Sequence, residues 1–138
     1  MSDPFVIDSS IGIGWVHPSQ SDDLTQRLLE EAKAGTAIYV PSLWHLEMAN
    51  TLIMLVRRKK ISDAQREVGL TLLSQLRIII DNETNRVAFS AISELAGKYA
   101  LSAYDAAYLE LARRKSLPLA TRDEALKTAA KKAGAKIF

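Results

Sequence analysis

Short, uninterrupted apolar runs alternate with helix-length periodic segments along this chain from end to end. Phe5-Val6-Ile7, Thr36-Ala37-Ile38-Tyr39-Val40, Arg77-Ile78-Ile79-Ile80, Leu117-Pro118-Leu119-Ala120 and Ala135-Lys136-Ile137-Phe138 read as strands. The helical period falls on residues 9–16, 22–34, 43–57, 62–76, 83–99, 103–115 and 123–133. The local punctuation agrees. His17-Pro18 breaks the first helix, Gly35 and Gly134 stop the second and the last, and Ser42 and Ser62 stand where caps are needed. Runs without polar alternation suit strands covered on both faces. The pattern therefore predicts an α/β fold. The expected architecture is a three-layer sandwich with a short, mostly parallel central sheet and helices on both faces. Its 138 residues suit a single domain, 1–138.

Several function classes drop out on composition. There is no Cys, which removes a disulfide framework, a zinc knuckle and a thiol nucleophile, and fits a cytoplasmic protein. The start, MSDPFVID, has no basic segment followed by an apolar one, so no secretory leader is expected. The longest apolar run, 48–56, is broken by Asn50 and Thr51 and is too short to span a bilayer. The net charge of +2 permits nucleic-acid binding without arguing for it.

Open parallel sheets bind ligands beyond the carboxyl ends of their strands. Asp8 closes the first strand and Asp123 follows the fourth. Glu47 and Asp105 fall in the first or second turns of helices, among apolar neighbours. Each acid also has a local role open to it. Asp8 can cap the helix at Ser9, Ser102-x-x-Asp105 has the form of a capping box, and Thr121-x-x-Glu124 is a better one. Glu47 is harder to assign locally. Its helix is apolar nearly all round and reads as mostly buried, and a buried acid is costly unless paired or metal-bound. Four acids with no His or Cys partner form an oxygen-only donor set, which suits Mg²⁺ or Mn²⁺. Such ions activate water and offset charge on a phosphoryl oxygen, the chemistry of phosphodiester hydrolysis.

The blocks "VIDSS", "VPSLWHLEMANTL", "LSAYDAAYLELA" and "LATRDEAL", in this order and spacing, resemble the PIN domain, and most closely its VapC-type toxins. The resemblance spans nearly the whole chain and places the family's acids on Asp8, Glu47, Asp105 and Asp123. It implies a Mg²⁺- or Mn²⁺-dependent endoribonuclease that acts as the toxin of a toxin–antitoxin pair. Asp8 and Asp105 would be direct metal ligands, and Glu47 and Asp123 would complete the pocket through water or as a general base. Ser9, Asn50 and Thr121 match polar positions beside the acids. The resemblance further implies a homodimer and a VapB-type antitoxin whose C-terminal segment covers the site. The apolar helices 43–57 and 62–76 suit such a groove, and equally suit packing on the sheet and on each other.

The remaining features have smaller claims. Arg122 is the basic residue nearest the acids and a candidate phosphate contact. Arg57-Arg58-Lys59-Lys60, Arg113-Arg114-Lys115 and Lys131-Lys132 end helices, where cations offset the dipole. Among Trp15, Trp44, Tyr104 and Tyr108, Trp15 is the expected rim residue for base stacking. Gly12-x-Gly14 lacks the rest of a phosphate loop, and Ser9 and Ser10 lack a triad. The alternative from another class is a non-catalytic protein–protein interaction module whose acids only cap helices. A phospho-acceptor receiver domain ranks below both, since Asp8 has no acidic neighbour before Ser9.

Overall fold

The structure is a computed structural model that describes residues 2–138. In chain order the elements are β1 (Phe5–Ile7), α1 (Ser9–Val16), α2 (Asp23–Lys33), β2 (Ile38–Pro41), α3 (Trp44–Arg57), α4 (Asp63–Gln75), β3 (Ile78–Asp81), α5 (Thr84–Val87), α6 (Ser93–Tyr99), α7 (Ala103–Lys115), β4 (Leu119–Ala120) and α8 (Glu124–Lys132). The sheet order is β3-β2-β1-β4 and every pairing is parallel. Helices α1 to α4 pack together in one group and α5 to α7 in another, with α8 beside α7. This is the three-layer α/β architecture that the alternation predicts.

Strand order sets where a site can form. From β1 the chain steps to β2 and then β3, and returns across to β4 on the other side of β1. The order reverses between β1 and β4, and ligand crevices of open parallel sheets lie at such a reversal. Asp8 directly follows β1 and Thr121 directly follows β4.

Several local expectations change. Ser42 does not cap α3; Leu43 holds the cap position and makes no side-chain bond to the helix. Ser62 does cap α4, in a reciprocal box with Gln65. The helix expected over 83–99 is divided by a π-turn at Ala88–Ile92, which joins α5 to α6. The expected last strand reduces to one bridge, Leu119 with Ile137. Helix α3 is not mostly buried. Trp44, Met48 and Leu52 face inward, while Leu46 is 77% exposed. Helix α7 departs the other way. All seven residues from Ala106 to Ala112 are buried, so it is a central helix rather than one with a single apolar stripe.

The two glycines of Gly12-x-Gly14 allow close approach. A Cβ at Gly12 would meet Met48 Sδ at 2.7 Å, and one at Gly14 would meet Thr25 Cγ2 at 2.6 Å. The Met48 thioether can swing aside. Thr25 cannot, because it is β-branched, fully buried and bonded to Asp22 through both its N–H and its hydroxyl. Gly14→Ala is therefore expected to cost about 1–3 kcal/mol in overpacking, outweighing a helix-propensity gain of up to about 1 kcal/mol. A urea titration reading a lower midpoint at unchanged slope checks this; a raised midpoint would mean that α1 can move off α2.

Candidate active site

The site is built outward from Asp8. Its carboxylate is buried, 4% exposed, and caps α1 by accepting from Ile11 N–H at 3.3 Å. The Ser10 hydroxyl donates to Oδ1 at 2.6 Å, and the Thr121 hydroxyl donates to Oδ2. Each hydroxyl in turn accepts from a backbone amide. Arg122 N–H donates to Ser10 Oγ at 2.9 Å and Asp123 N–H to Thr121 Oγ1 at 3.0 Å. With the amides on their lone pairs, both hydroxyls direct their protons at Asp8.

Backbone contacts bring the other elements to the same point. Asp8 N–H donates to the Ala120 carbonyl at 3.3 Å, joining β1 to β4. Trp44, 1% exposed, donates its indole N–H to the Asp8 carbonyl at 3.3 Å and so fixes the start of α3 against β1. Glu47 lies nearly one turn further along α3, half-buried, and accepts a hydrogen bond from the fully buried Tyr108 hydroxyl of α7. Tyr108 stands three residues after Asp105, so the two side chains lie near one another on the helix surface.

The acids feel one another. Burial raises the pKa of Asp8, against the hydrogen bonds from Ser10, Thr121 and Ile11, and the charge of Asp105 adds to the rise. Glu47 is raised by burial and by the charges of Asp105 and Asp8, against its bond from Tyr108. Asp105 is raised by burial and by Asp123, with the Ser102 hydroxyl opposing. Burial and the bond to Glu47 push the Tyr108 hydroxyl well above its ordinary range, so it stays a donor.

Capping and clustering coexist here. Asp123 is itself the cap of α8, accepting from Leu126 N–H at 2.9 Å. The box expected between Thr121 and Glu124 is absent, because the Thr121 hydroxyl turns to Asp8 and the helix begins later. Ser102 caps α7 by accepting from Asp105 N–H at 3.1 Å. Asn50 is exposed and Ser9 half-buried. Ser10, not Ser9, bonds to Asp8, a role that "DSS" alone leaves open between two serines. Trp15 is not at the rim; it is 7% exposed and donates to the Thr25 carbonyl. The exposed aromatic beside the acids is Tyr104, at 67%.

The donor set passes a chemical test for a hard cation. It is all oxygen, its members raise one another's pKa, and Asp8 has both oxygens oriented by donors. Among the described residues no three acidic or histidine side chains converge tightly enough to enclose an ion by themselves.

A four-stranded parallel sheet in the order β3-β2-β1-β4, flanked by helices, defines an α/β domain, with Asp8 and Asp123 beside the reversal between β1 and β4. The PIN domain profile matches residues 5–132, and the chain belongs to the PIN domain family. Solved structures of the same fold include PAE2754 from Pyrobaculum aerophilum, with a TM-score of 0.69 at 22% identity, covering 99% of this chain and 92% of that one. VapBC2 from Rickettsia felis, bound to a DNA fragment from its promoter, gives 0.66 at 17% identity over 98% of this chain and 97% of that one. FitAcB from Neisseria gonorrhoeae gives 0.62 at 17% identity, over 97% and 96%. No curated protein matches. Among the described residues, no helix is long and apolar enough to cross a membrane.

Proposed function

We propose that this chain is a Mg²⁺- or Mn²⁺-dependent endoribonuclease and the toxin of a toxin–antitoxin pair. The observation that carries this reading is the buried carboxylate of Asp8 at the strand-order reversal, held by the Ser10 and Thr121 hydroxyls, with the charges of Asp105 and Asp8 adding to the burial that raises Glu47. Helix capping accounts for Asp8 and Asp123. It does not account for Glu47, a half-buried acid on another helix whose pKa is raised by burial and by the charges of Asp105 and Asp8. That argues against a purely structural interaction module.

Asp8 and Asp105 would hold the ion, with Asp123 reaching it through water. When bound, the metal lowers the pKa of a coordinated water and offsets charge on the phosphoryl oxygen. Glu47 would complete the pocket, taking a proton from water as a general base. Its raised pKa brings it closer to the operating range of a general base, and Tyr108 fixes the carboxylate by donating to it. Ser10 and Thr121 each hold one oxygen of the Asp8 carboxylate.

The partner reading rests on the exposed apolar surface. Leu46, Ile53 and Val68 stand out from α3 and α4, and Trp15, Val16, Gly69 and Leu72 line a groove between α1 and α4. An amphipathic segment of a VapB-type antitoxin fits such a groove. Two of the similar structures, VapBC2 and FitAB, are described as bound to DNA fragments. We also propose that the active form is a homodimer, which sedimentation of the purified chain tests.

The test of the reaction is cleavage of total RNA in Mg²⁺, in Mn²⁺ and in chelator, with new 5′ ends mapped. Discrete cuts that need metal are expected. Cuts that persist in chelator, or none on RNA from several hosts, would overturn the nuclease reading. The proposed ion gives a second expected result. Divalent metal at 100 times its Kd should stabilise the fold by about 2.7 kcal/mol, read as a higher Tm. An unchanged Tm at millimolar metal would count against a clustered site.

A further inference from the structure

Arg122 does not point its guanidinium at the acids. It crosses α1 where Gly14 leaves room, 3.2 Å from the position of a Cβ there. Beyond that point it donates to the Gln20 carbonyl, lies 3.4 Å from Gln20 Oε1 and 3.5 Å from Asp22 Oδ2. Its other end is its own backbone N–H, which donates to Ser10 Oγ at 2.9 Å, and Ser10 donates to Asp8 at 2.6 Å. The two flanking residues complete the arrangement. Thr121 donates to Asp8 and accepts from Asp123 N–H. One three-residue loop thus supplies one hydroxyl contact to Asp8 from Thr121 and holds the other, from Ser10 of α1, through the Arg122 amide, and its middle residue is bolted to the turn before α2.

We infer that Arg122 is a positioning residue: by anchoring the loop 121–123 to Gln20 and Asp22, it holds Ser10 and Thr121 in register with Asp8 and so sets the affinity of the site for a divalent cation. This rests on the metal-site reading above. It also assigns the nearest cation a role other than gripping RNA phosphate. Groups that orient a ligand are worth about 10–100-fold in metal affinity.

The experiment is Mn²⁺ binding to the metal-free protein, read by calorimetry or by loss of the free-ion EPR signal, with RNA cleavage measured beside it. Arg122→Met keeps the stem and removes the fork. It is expected to raise the Mn²⁺ Kd about 10-fold, with KM for RNA at saturating metal and its salt dependence unchanged. Arg122→Lys, which can still meet Asp22, should recover part of the loss. Ser10→Ala should fall in the same direction, and the double variant should lose less than the sum, because both changes cut one chain of contacts. Thermal melts confirm that each variant is folded, and the Lys variant carries the test if Met is not tolerated. An Arg122→Met protein that binds Mn²⁺ like the wild type overturns the inference. If it also has a higher KM and a salt slope lower by about 1, the residue contacts phosphate instead. A wild type that neither binds Mn²⁺ nor cuts RNA overturns the functional reading itself, and is told apart by the wild-type arm alone.

Discussion

Asp105→Asn is expected to lower metal-dependent RNA cleavage by about 10²–10³-fold while raising the Tm of the metal-free protein. The two effects share a cause. Asp105 is half-buried and faces the charge of Asp123, so its native-state pKa lies above the ordinary carboxylate value. A carboxylate with a raised folded pKa favours the native state only while it is protonated. That contribution is lost as pH rises through the unfolded and then the folded pKa, so at pH 7 ionised Asp105 opposes folding. Asn keeps the shape and leaves the cap from Ser102 to the residue-105 amide in place, and carries no charge. The stability gain should therefore be present at neutral pH and fade as pH falls toward about 4, where Asp105 is protonated in both states. Activity measured with added metal, and melting curves in chelator at two pH values, check the pair. A variant with unchanged cleavage would remove Asp105 from the reaction. One that is less stable at pH 7 would show that its carboxylate holds the fold.

The largest loss of stability is expected away from the acids, at Arg114. Its guanidinium forms a fork with Asp81 at 2.7 and 3.0 Å and a second with Glu110 at 2.9 and 3.1 Å. Both carboxylates are buried, at 7% and 6% exposure. Burial alone would push Asp81 up, but the hydrogen bonds and charge of Arg114 outweigh it and hold the group below its ordinary value. Arg114→Met leaves two buried carboxylates without a counter-ion and should cost about 3–5 kcal/mol, nearer the lower figure since Arg114 is partly exposed. That is a large part of the 5–15 kcal/mol typical of a domain. A depressed folded pKa contributes stability above the unfolded value and loses it below. The gap between wild type and variant should thus narrow as pH falls below about 4. Adding Asp81→Asn and Glu110→Gln to Arg114→Met should recover part of the loss. If the single variant unfolds at the wild-type midpoint, the network is energetically idle.

Layering and sheet direction were legible because unbroken apolar runs such as Val6-Ile7 and Ile78-Ile79-Ile80 admit few other arrangements. The acidic positions Asp8 and Asp123 followed from the same reasoning, since strand ends locate a crevice. What connects them was not legible. Tyr108 reads as a packing residue until its hydroxyl is seen on Glu47, though its spacing from Asp105 was available as a signal. Trp44 reads as core, and it is, yet its N–H reaches a carbonyl 36 residues away. Arg114 was assigned to the helix dipole, because nothing local to 113–115 announces two acids, one of them at the end of β3. Helix α3 was misjudged because apolar content was taken for burial, whereas Leu46 and Ile53 remain in water. Local rules see neighbours along the chain, and these contacts depend on tertiary placement.

The bond between Thr121 and Asp8 joins residues separated by 113 positions. A contact over such a distance pays a large loop-closure entropy before it can form. During translation, a chain that has emerged only as far as α7 already carries Asp8, Glu47 and Asp105. It lacks β4, Thr121 and the loop that clasps Asp8. A product cut short by a premature stop there would carry three of the four acids with one of them unsupported. On the nuclease reading proposed above, this order of synthesis would act as a safeguard: no finished site would meet the ribosome and its message before β4 and residues 121–123 have been made.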